Sequence, residues 1–238
     1  MLGLLSLVLP KKDFSETENR YLERVPEFST RAVFSGSFSE DASDYVSDHI
    51  AGRDFWVKCK TELEKLSGKT APVVFDLCSG SGCIAISVAK LFPKAKVYAV
   101  EKSHEACVYL KKNIKLNKVK NVELIKGDIS NPDILKGIKP DLILSNPPYV
   151  KTEEIPQLQK EVQHEPVSAL DGGIDGLDFY KILSADWMSR MPSGTVMAVE
   201  CGEGQAEDIS QMFFLSRCEV DIINDLSGIP RVVTAVKR

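Results

Sequence analysis

The stretch Val73-Val74-Phe75-Asp76-Leu77-Cys78-Ser79-Gly80-Ser81-Gly82-Cys83 joins a short apolar run to a turn that contains two glycines. Because the apolar residues are nearly continuous rather than alternating, they predict a strand that is buried on both faces. A helical pattern from Ile84 to Leu91 follows, so the stretch predicts a strand, a turn and a helix in succession. In doubly wound sheets, ligands bind beyond the carboxyl ends of such strands, and glycines let the backbone approach a ligand closely. The turn alone is a weak signal, since a tight turn without a ligand has the same composition.

Apolar runs and helical patterns continue to alternate through the rest of the chain. They predict a helix over 103–116 and further strands over 96–100, 122–125, 141–145, 195–200, 219–223 and 231–236. Seven strands with interleaved helices predict a doubly wound α/β sheet. Only residues 224–230 separate the last two strands, too few for a crossover helix, so these two strands should be antiparallel. The predicted architecture, a Rossmann-like and mostly parallel seven-stranded sheet with one antiparallel strand, resembles that of class I methyltransferases.

The first 70 residues differ from the rest in composition. They contain acidic and serine-rich stretches, and Ser15-Glu16-Thr17-Glu18 could cap a helix. Leu63 and Leu66, which lie among charged residues, suggest another short amphipathic helix. We therefore expect two units: a small, mainly helical N-terminal region over 1–70 and a sheet domain over 71–238.

Composition and charge narrow the class of protein. The formal net charge of −4 argues against nucleic acid as the main partner, because proteins that grip nucleic acid usually carry a basic surplus. The six cysteines include no Cys-x-x-Cys pair and no zinc-type spacing with histidine, which predicts free thiols in a reducing cytoplasm and no metal. The apolar run Met1–Leu9 is too short to span a bilayer, and no cleavage site of a secretory leader follows it. We expect a cytoplasmic monomer that does not bind membranes.

Acidic residues occur where the second and third predicted strands end. Glu101 follows the second strand, where a carboxylate can accept hydrogen bonds from both hydroxyls of a ribose. Asp128 follows the third strand and could approach the rim of an adenine, while Ile129 could pack on the adenine face. Together with the glycines after the first strand, these residues predict a site for a cofactor that contains a nucleoside. A nicotinamide cofactor stays open at this point, because Ala85 satisfies the looser form of its glycine fingerprint.

The tetrapeptide Asn146-Pro147-Pro148-Tyr149 follows the fourth strand directly. An amide or exocyclic amino nitrogen is a poor nucleophile because its lone pair is delocalised, so a site that methylates it must orient it and accept its hydrogens. The Asn146 side-chain oxygen and the Pro147 carbonyl could each accept one N–H, and the two prolines hold the backbone in place. Tyr149 offers a flat face for stacking on a planar amide or base. This composition predicts methyl transfer to such a nitrogen, with a rigid Pro-Pro turn as the simpler alternative.

Four segments resemble the release factor glutamine methyltransferase family, also called the HemK or PrmC family. They are residues 76–86, the tetrapeptide 146–149, the segment 161–166 and the acidic, glycine-rich segment 169–177. The last segment distinguishes this family from other amino-methyltransferases, many of which share the tetrapeptide. The resemblance covers about residues 70–238 and implies that the cofactor is S-adenosyl-L-methionine. It also implies that the methyl acceptor is the side-chain amide nitrogen of the glutamine in the Gly-Gly-Gln motif of peptide chain release factors.

The resemblance assigns roles to individual residues. It implies that the catalytic residues, which also hold the glutamine amide, are Asn146, Pro147, Pro148 and Tyr149, and that the substrate pocket is shaped by His164, Glu165 and Pro166. Cofactor-binding positions are implied for Asp76, Cys78, Ser79, Gly80, Ser81, Gly82, Glu101, Asp128, Ile129 and Asn146. Gly80 and Gly82 match the family, and Cys78 is an accepted variant of the first glycine of its turn. Without the resemblance, His164 is equally well explained as a loop histidine, and residues 171–176 as a plain turn cluster.

The N-terminal region departs from the family pattern. Residues 51–57 resemble the end of the family's helical docking domain, but Lys58-Cys59-Lys60-Thr61-Glu62-Leu63 follows where a hairpin and a Pro-Arg-Pro element are expected. Two further interpretations stay open: an amino-methyltransferase that acts on nucleic-acid bases, and a catalytically weakened binding protein with a methyltransferase fold. A base-modifying enzyme would need to flip its target and grip the strand, which usually takes a recognition domain and a basic surface.

Overall fold

A seven-stranded sheet runs through the part of the chain that the computed structural model describes, which is residues 61–62, 64–66, 68–131, 133–159, 162, 165–225 and 228–238. Its strands are β1 (Val73–Leu77), β2 (Lys96–Glu101), β3 (Val122–Lys126), β4 (Leu142–Ser145), β5 (Val196–Glu200), β6 (Cys218–Asn224) and β7 (Pro230–Lys237). The strand order is β3-β2-β1-β4-β5-β7-β6, and β7 is antiparallel to both of its neighbours. The predicted fold, a mostly parallel sheet with one antiparallel strand, is confirmed.

Helices cover most of the connections between the parallel strands. They are α1 (Cys83–Leu91), α2 (His104–Leu116), α3 (Asp178–Ile182), α4 (Met188–Arg190) and α5 (Ala206–Leu215), with a π-helical turn over Leu183–Trp187 and 3₁₀ turns over Ile155–Gln157 and Val167–Ala169. The predicted helices α1 and α2 are confirmed within one residue at each end, whereas the sequence patterns did not locate α3 to α5. Among the described residues, no helix is both long enough and apolar enough to cross a membrane.

Little of the predicted N-terminal region falls within the described residues. Residues 61, 62, 64 and 65 are helical, in agreement with the short helix predicted around Leu63 and Leu66. The segments before residue 61 that the sequence singled out, including residues 51–57, lie outside the described residues. The division of the chain at residue 70 therefore stays a prediction.

The strand side chains alternate between two apolar layers, one on each face of the sheet. Val74 belongs to the layer on the side of α1 and α2, which includes Leu110, and Phe75 belongs to the opposite layer, where it packs on Trp187. The Phe75 and Trp187 rings meet edge to face with their centroids 6.0 Å apart. Because both faces are covered, the central strands are apolar at nearly every position, which is why their sequences read as continuous runs.

The order of the strands reverses beside β1, and this reversal places the site. From β1 the chain continues outwards to β2 and β3 and then returns to β4 on the other side of β1. Leu77 and Ser145 are register partners at the carboxyl ends of β1 and β4, and the Ser145 hydroxyl donates to the Leu77 carbonyl at 2.8 Å. The glycine turn 78–82 and the tetrapeptide 146–149 therefore start side by side, where doubly wound sheets bind ligands.

Candidate active site

The glycine turn after β1, residues 78–82, is bent by three residues with positive φ. Cys78, Gly80 and Gly82 have φ angles of 59°, 53° and 85°. Left-handed backbone costs a residue with a Cβ about 1–2 kcal/mol, which glycine avoids. Cys78 is therefore strained at a position where the resemblance implies glycine. The backbone N–H and the hydroxyl of Ser79 both donate to the Val100 carbonyl at 3.0 Å, so the turn is anchored to β2.

The two glycines of the turn have different surroundings. A Cβ added at Gly82 would lie 1.9 Å from Leu110 Cδ1, and Leu110 is fully buried. A Cβ added at Gly80 would meet nothing within 4 Å among the described residues. Asn113 on α2 donates through Nδ2 to the Ser81 carbonyl at 2.9 Å, so α2 holds the turn by a hydrogen bond as well as by packing. Gly82 is thus required for packing against α2, whereas Gly80 leaves open space beside the turn.

Asp76 is a buried carboxyl group directly before the turn. Its Oδ2 accepts a hydrogen bond from the Ala85 N–H at 3.0 Å, while Oδ1 is buried and has no hydrogen-bond partner among the described residues. Burial raises the pKa of Asp76 to about 8, since removal from water disfavours the charged form. A positively charged ligand group beside Oδ1 would supply the missing partner and favour the carboxylate.

Glu101 at the end of β2 contacts the glycine turn directly. Its Oε2 accepts from the backbone N–H of Gly80 at 2.7 Å, and its Oε1 accepts from the backbone N–H of Ser103 at 2.6 Å. Two backbone donors hold this carboxylate at the carboxyl edge of the sheet. The structure thus brings together two features that the sequence predicted separately, a turn open to a ligand and a carboxylate able to accept from hydroxyl groups.

Asp128 and Ile129, which follow β3, are bonded to other residues of this chain. Asp128 Oδ2 lies 2.7 Å from Lys102 Nζ, and Oδ1 accepts from the Ser130 N–H at 2.9 Å. Burial acts to raise the pKa of Asp128, but the hydrogen bonds from Lys102 and Ser130 outweigh it, and the pKa is lowered. Ile129 is 4% exposed, and its carbonyl accepts from Trp187 Nε1 at 2.9 Å. Ile129 is mainly a core residue, so only a small part of it is open to a ligand.

Asn146 follows β4, and the neighbouring strand β5 ends at Glu200. Asn146 Nδ2 donates to Glu200 Oε2 at 3.0 Å, and burial raises the pKa of Glu200 to about 7. The other end of the amide, Oδ1, is buried and has no hydrogen-bond partner among the described residues. Pro147 and Pro148 are buried, and their rings restrict the backbone after Asn146. The site therefore contains an oriented acceptor that no described residue satisfies.

Tyr149 is half-buried at the end of the tetrapeptide. Burial, and next the charge of Glu200, raises the pKa of the phenol to about 12, so the hydroxyl stays protonated at neutral pH. The Tyr149 carbonyl accepts from Gln205 Nε2 at 2.8 Å, and Gln205 Oε1 accepts from the Gly202 N–H at 2.9 Å. The Gln205 side chain thus links the tetrapeptide to the loop after β5.

The acidic, glycine-rich segment 169–177 packs against the backbone of the tetrapeptide. The Gly172 N–H donates to the Val150 carbonyl at 2.8 Å. A Cβ added at Gly172 would lie 2.8 Å from Tyr149 Cα, so the Tyr149 backbone approaches too closely for any other residue there. The segment is therefore more than a plain turn cluster, because it braces the candidate catalytic turn.

Of the three residues implied to shape the substrate pocket, the structure describes Glu165 and Pro166. Glu165 is 8% exposed and lies close enough to Tyr149 for its charge to contribute to the raised pKa of the phenol. Pro166 is exposed and precedes the 3₁₀ turn Val167–Ala169. His164 lies outside the described residues.

Three polar side chains that hold the site together were not singled out as site residues from the sequence: Asn113, Glu200 and Gln205. Glu200 had a usable signal, because it ends a strand of the predicted parallel sheet, and the carboxyl ends of parallel strands meet at one edge. Asn113 is an ordinary polar residue within a helix and Gln205 an ordinary one before a helix, so neither belongs to a recognisable pattern. Their roles follow from contacts across the fold.

The arrangement can orient a planar nitrogen beside a bound ligand. Asn146 Oδ1 offers one acceptor, Tyr149 offers a ring for stacking, and the open space beside Gly80 lies along the same sheet edge. Among the described residues, no group of three or more His, Cys, Asp or Glu is arranged to hold a metal ion. The geometry suits chemistry that depends on placing hydrogen-bond acceptors around a weak nucleophile.

Comparisons with protein families and solved structures agree with this fold. The family model of the methyltransferase small domain matches residues 58–173. A methyltransferase from Pyrococcus furiosus superimposes with a TM-score of 0.54 at 20% identity, and the aligned part covers 76% of this chain and 82% of that structure. A precorrin-6y C5,15-methyltransferase from Geobacter metallireducens superimposes with a TM-score of 0.53 at 14% identity and covers 75% of this chain and 87% of its own. These likenesses establish the class I methyltransferase fold.

Curated relatives identify the family. The release factor glutamine methyltransferase of Thermodesulfovibrio yellowstonii is 38% identical over 178 residues, or 74% of this chain and 63% of that relative. The one from Geobacter sulfurreducens is 41% identical over 165 residues, so the chain spans only 57% of its length. The one from Bacillus cereus is 33% identical over 233 residues, which cover 94% of this chain and 81% of that relative. On this similarity, the chain belongs to the release factor glutamine methyltransferase family.

Proposed function

We propose that this protein transfers a methyl group from S-adenosyl-L-methionine to the side-chain amide nitrogen of the glutamine in the Gly-Gly-Gln motif of peptide chain release factors. The observation that carries the proposal is Asn146 Oδ1, a buried acceptor with no partner among the described residues, at the carboxyl edge of the sheet. The names of curated relatives at 38% and 33% identity support methyl transfer to a glutamine of a release factor.

The residues around the glycine turn fit S-adenosyl-L-methionine, which carries an ammonium group, a sulfonium and a ribose with two hydroxyls. Asp76 Oδ1 is a buried carboxyl oxygen without a described partner, which suits a cationic ligand group. The open space beside Gly80 suits a group that lies against the backbone, and the Glu101 carboxylate suits the ribose hydroxyls. We therefore assign the cofactor to residues 76–82 and Glu101, with its adenine beside residues 128–129.

The chain's own residues orient the nucleophile. When bound, S-adenosyl-L-methionine supplies a methyl group on a positively charged sulfur, from which a nucleophile can displace it. Asn146 Oδ1 accepts one hydrogen of the glutamine amide and the Pro147 carbonyl accepts the other, which turns the nitrogen lone pair towards the methyl carbon. Tyr149 stacks on the plane of the amide. The same acceptors would favour the positive charge that develops on nitrogen while the C–N bond forms and the methyl–sulfur bond breaks, and the proton would pass afterwards to water.

A release factor as the substrate implies which parts of this chain would contact it. His164, Glu165 and Pro166 would shape the pocket for the glutamine loop, and residues 1–70 would act as a reduced docking region for the release factor. The formal net charge of −4 favours a protein over nucleic acid as the substrate. In this proposal the protein works as a monomer in the cytoplasm.

Methyl transfer from radiolabelled cofactor tests the proposal. The protein is incubated with a release factor, with the same release factor carrying alanine in place of the Gly-Gly-Gln glutamine, and with DNA and RNA oligonucleotides. We expect label only in the unmodified release factor. Label in nucleic acid instead would contradict the proposal and favour a base-modifying enzyme. Calorimetric binding of the cofactor without transfer to any substrate would favour a binding protein.

A further inference from the structure

The contact between Glu200 and Asn146 joins the ends of two neighbouring strands. Glu200 is the last residue of β5 and is 8% exposed, and Asn146 comes directly after β4. Ser145 and Val199 are register partners, so Asn146 and Glu200 start from adjacent positions at the same edge of the sheet. The hydrogen bond of 3.0 Å from Asn146 Nδ2 to Glu200 Oε2 is therefore a consequence of strand register.

This contact determines which end of the Asn146 amide is free. An amide group has a donor end and an acceptor end of nearly the same shape, so packing alone selects weakly between its two orientations. At pH values above its raised pKa of about 7, Glu200 is ionised, and an ionised carboxylate offers only acceptors, so it attracts Nδ2 and repels Oδ1. With Nδ2 turned to Glu200, Oδ1 is left without a partner among the described residues. A buried acceptor in this state is unfavourable, and an incoming N–H would satisfy it.

Glu200 is itself held in place by its neighbours. Its backbone carbonyl accepts from the Tyr180 hydroxyl at 2.7 Å, and Tyr180 is fully buried. Glu200 is also paired with Val232 of β7, so its backbone is fixed from the other side of β5 as well. A side chain that extends from a rigid strand can orient a neighbour more accurately than one that extends from a loop.

We propose that Glu200 is a positioning residue, which holds the Asn146 amide so that Oδ1 faces the target nitrogen. This rests on the proposed function, because it takes Oδ1 to be the acceptor for that nitrogen. Glu200 acts through Asn146 and contacts neither substrate nor cofactor in this role. Its loss would let the amide rotate, which slows the chemical step while both ligands still bind.

Kinetics of four variants test this role: Glu200→Gln, Glu200→Ala, Asn146→Ala and the Glu200→Ala/Asn146→Ala double variant. Glu203→Ala serves as the control, because Glu203 is exposed in the loop after the same strand. We expect Glu200→Ala to lower kcat about 10- to 100-fold, as expected for a slightly misplaced group, with KM and cofactor affinity near wild type. Glu200→Gln can accept from Nδ2 but can also donate to Oδ1, so it should orient the amide less selectively, with a kcat between those of wild type and Glu200→Ala. In the Asn146→Ala background, Glu200→Ala should cause no further loss, and an equal loss in both backgrounds would overturn the positioning role.

Nuclear magnetic resonance of the Asn146 side-chain amide detects its hydrogen bond to Glu200 independently of turnover. The Nδ2 signals, assigned by their disappearance in Asn146→Ala, should shift in Glu200→Ala and stay in place in Glu203→Ala. Unchanged signals in Glu200→Ala would overturn the inference. Should Glu200→Ala fail to fold, Glu200→Gln removes the charge and must still move these signals. If they respond as expected but wild-type protein methylates no release factor, the proposed substrate is wrong and the positioning contact stands.

Discussion

The two glycines of the turn after β1 give a prediction that separates packing from ligand binding. Both have positive φ, 53° at Gly80 and 85° at Gly82. Alanine in left-handed backbone costs about 1–2 kcal/mol at either position. At Gly82 the new methyl group would also lie 1.9 Å from Cδ1 of the fully buried Leu110, and such overpacking adds about 1–3 kcal/mol. Gly82→Ala should therefore lower the free energy of unfolding by about 2–5 kcal/mol, and Gly80→Ala by about 1–2 kcal/mol.

Urea unfolding followed by circular dichroism measures both free energies. The packing part is isolated in a Leu110→Ala background, where Gly82→Ala should cost only the backbone part, about 1–2 kcal/mol. Equal losses for Gly82→Ala and Gly80→Ala in the wild-type background would refute the packing argument.

Calorimetric titration with S-adenosyl-L-methionine measures the other half of the prediction. The methyl group of Gly80→Ala would project into the open space assigned to the cofactor, so affinity should fall on the order of tenfold or more, as for a clash of about 1.4 kcal/mol. Wild-type affinity in a folded Gly80→Ala protein would show that the cofactor does not lie there.

Three further predictions concern polar groups of the site. Asn146→Ala should lower turnover on a release factor by about 10²–10³-fold, because it removes an oriented acceptor. Asn146→Asp, which keeps an acceptor of similar shape, should be impaired less. Near wild-type turnover of a folded Asn146→Ala protein would contradict the assigned mechanism. Glu101→Ala should weaken cofactor binding by about 1.5–3 kcal/mol, the range for charge-assisted bonds, and equal affinity in calorimetry would rule out the ribose role. The pKa of Asp76 rises from its ordinary 3.8 to about 8 in the folded protein, so between these values the folded state keeps a proton that the unfolded chain releases. Without cofactor, the free energy of unfolding should therefore fall as pH rises from about 4 to about 8, and Asp76→Asn should remove part of that fall. Urea unfolding of both proteins over this pH range measures it. The same dependence of the unfolding free energy on pH in both proteins would contradict the prediction.

The strands were predictable because burial on both faces leaves a local signal. A strand covered by helices on both sides is apolar at nearly every position, so 73–77 was assigned as observed and the other six strands within one residue at each end. The antiparallel arrangement of β6 and β7 followed from the short link between them. The first and fourth strand ends could also be expected to form a site, because ligands bind at the carboxyl edge of such sheets.

The sequence by itself therefore determined the strands, the glycine turn and the tetrapeptide, because each of these is a run of consecutive residues. Only the tertiary structure decided what holds them in place. Asn146 is paired with a residue 54 positions away, Tyr149 with one 56 positions away, and Ser81 with one 32 positions away. Gln205 and Asn113 have no distinctive local pattern, and Glu200 was recognisable only as the last residue of a predicted parallel strand. Their roles come from strand order, register and side-chain direction, because a hydrogen bond between distant residues exists only once the sheet has brought their backbones together.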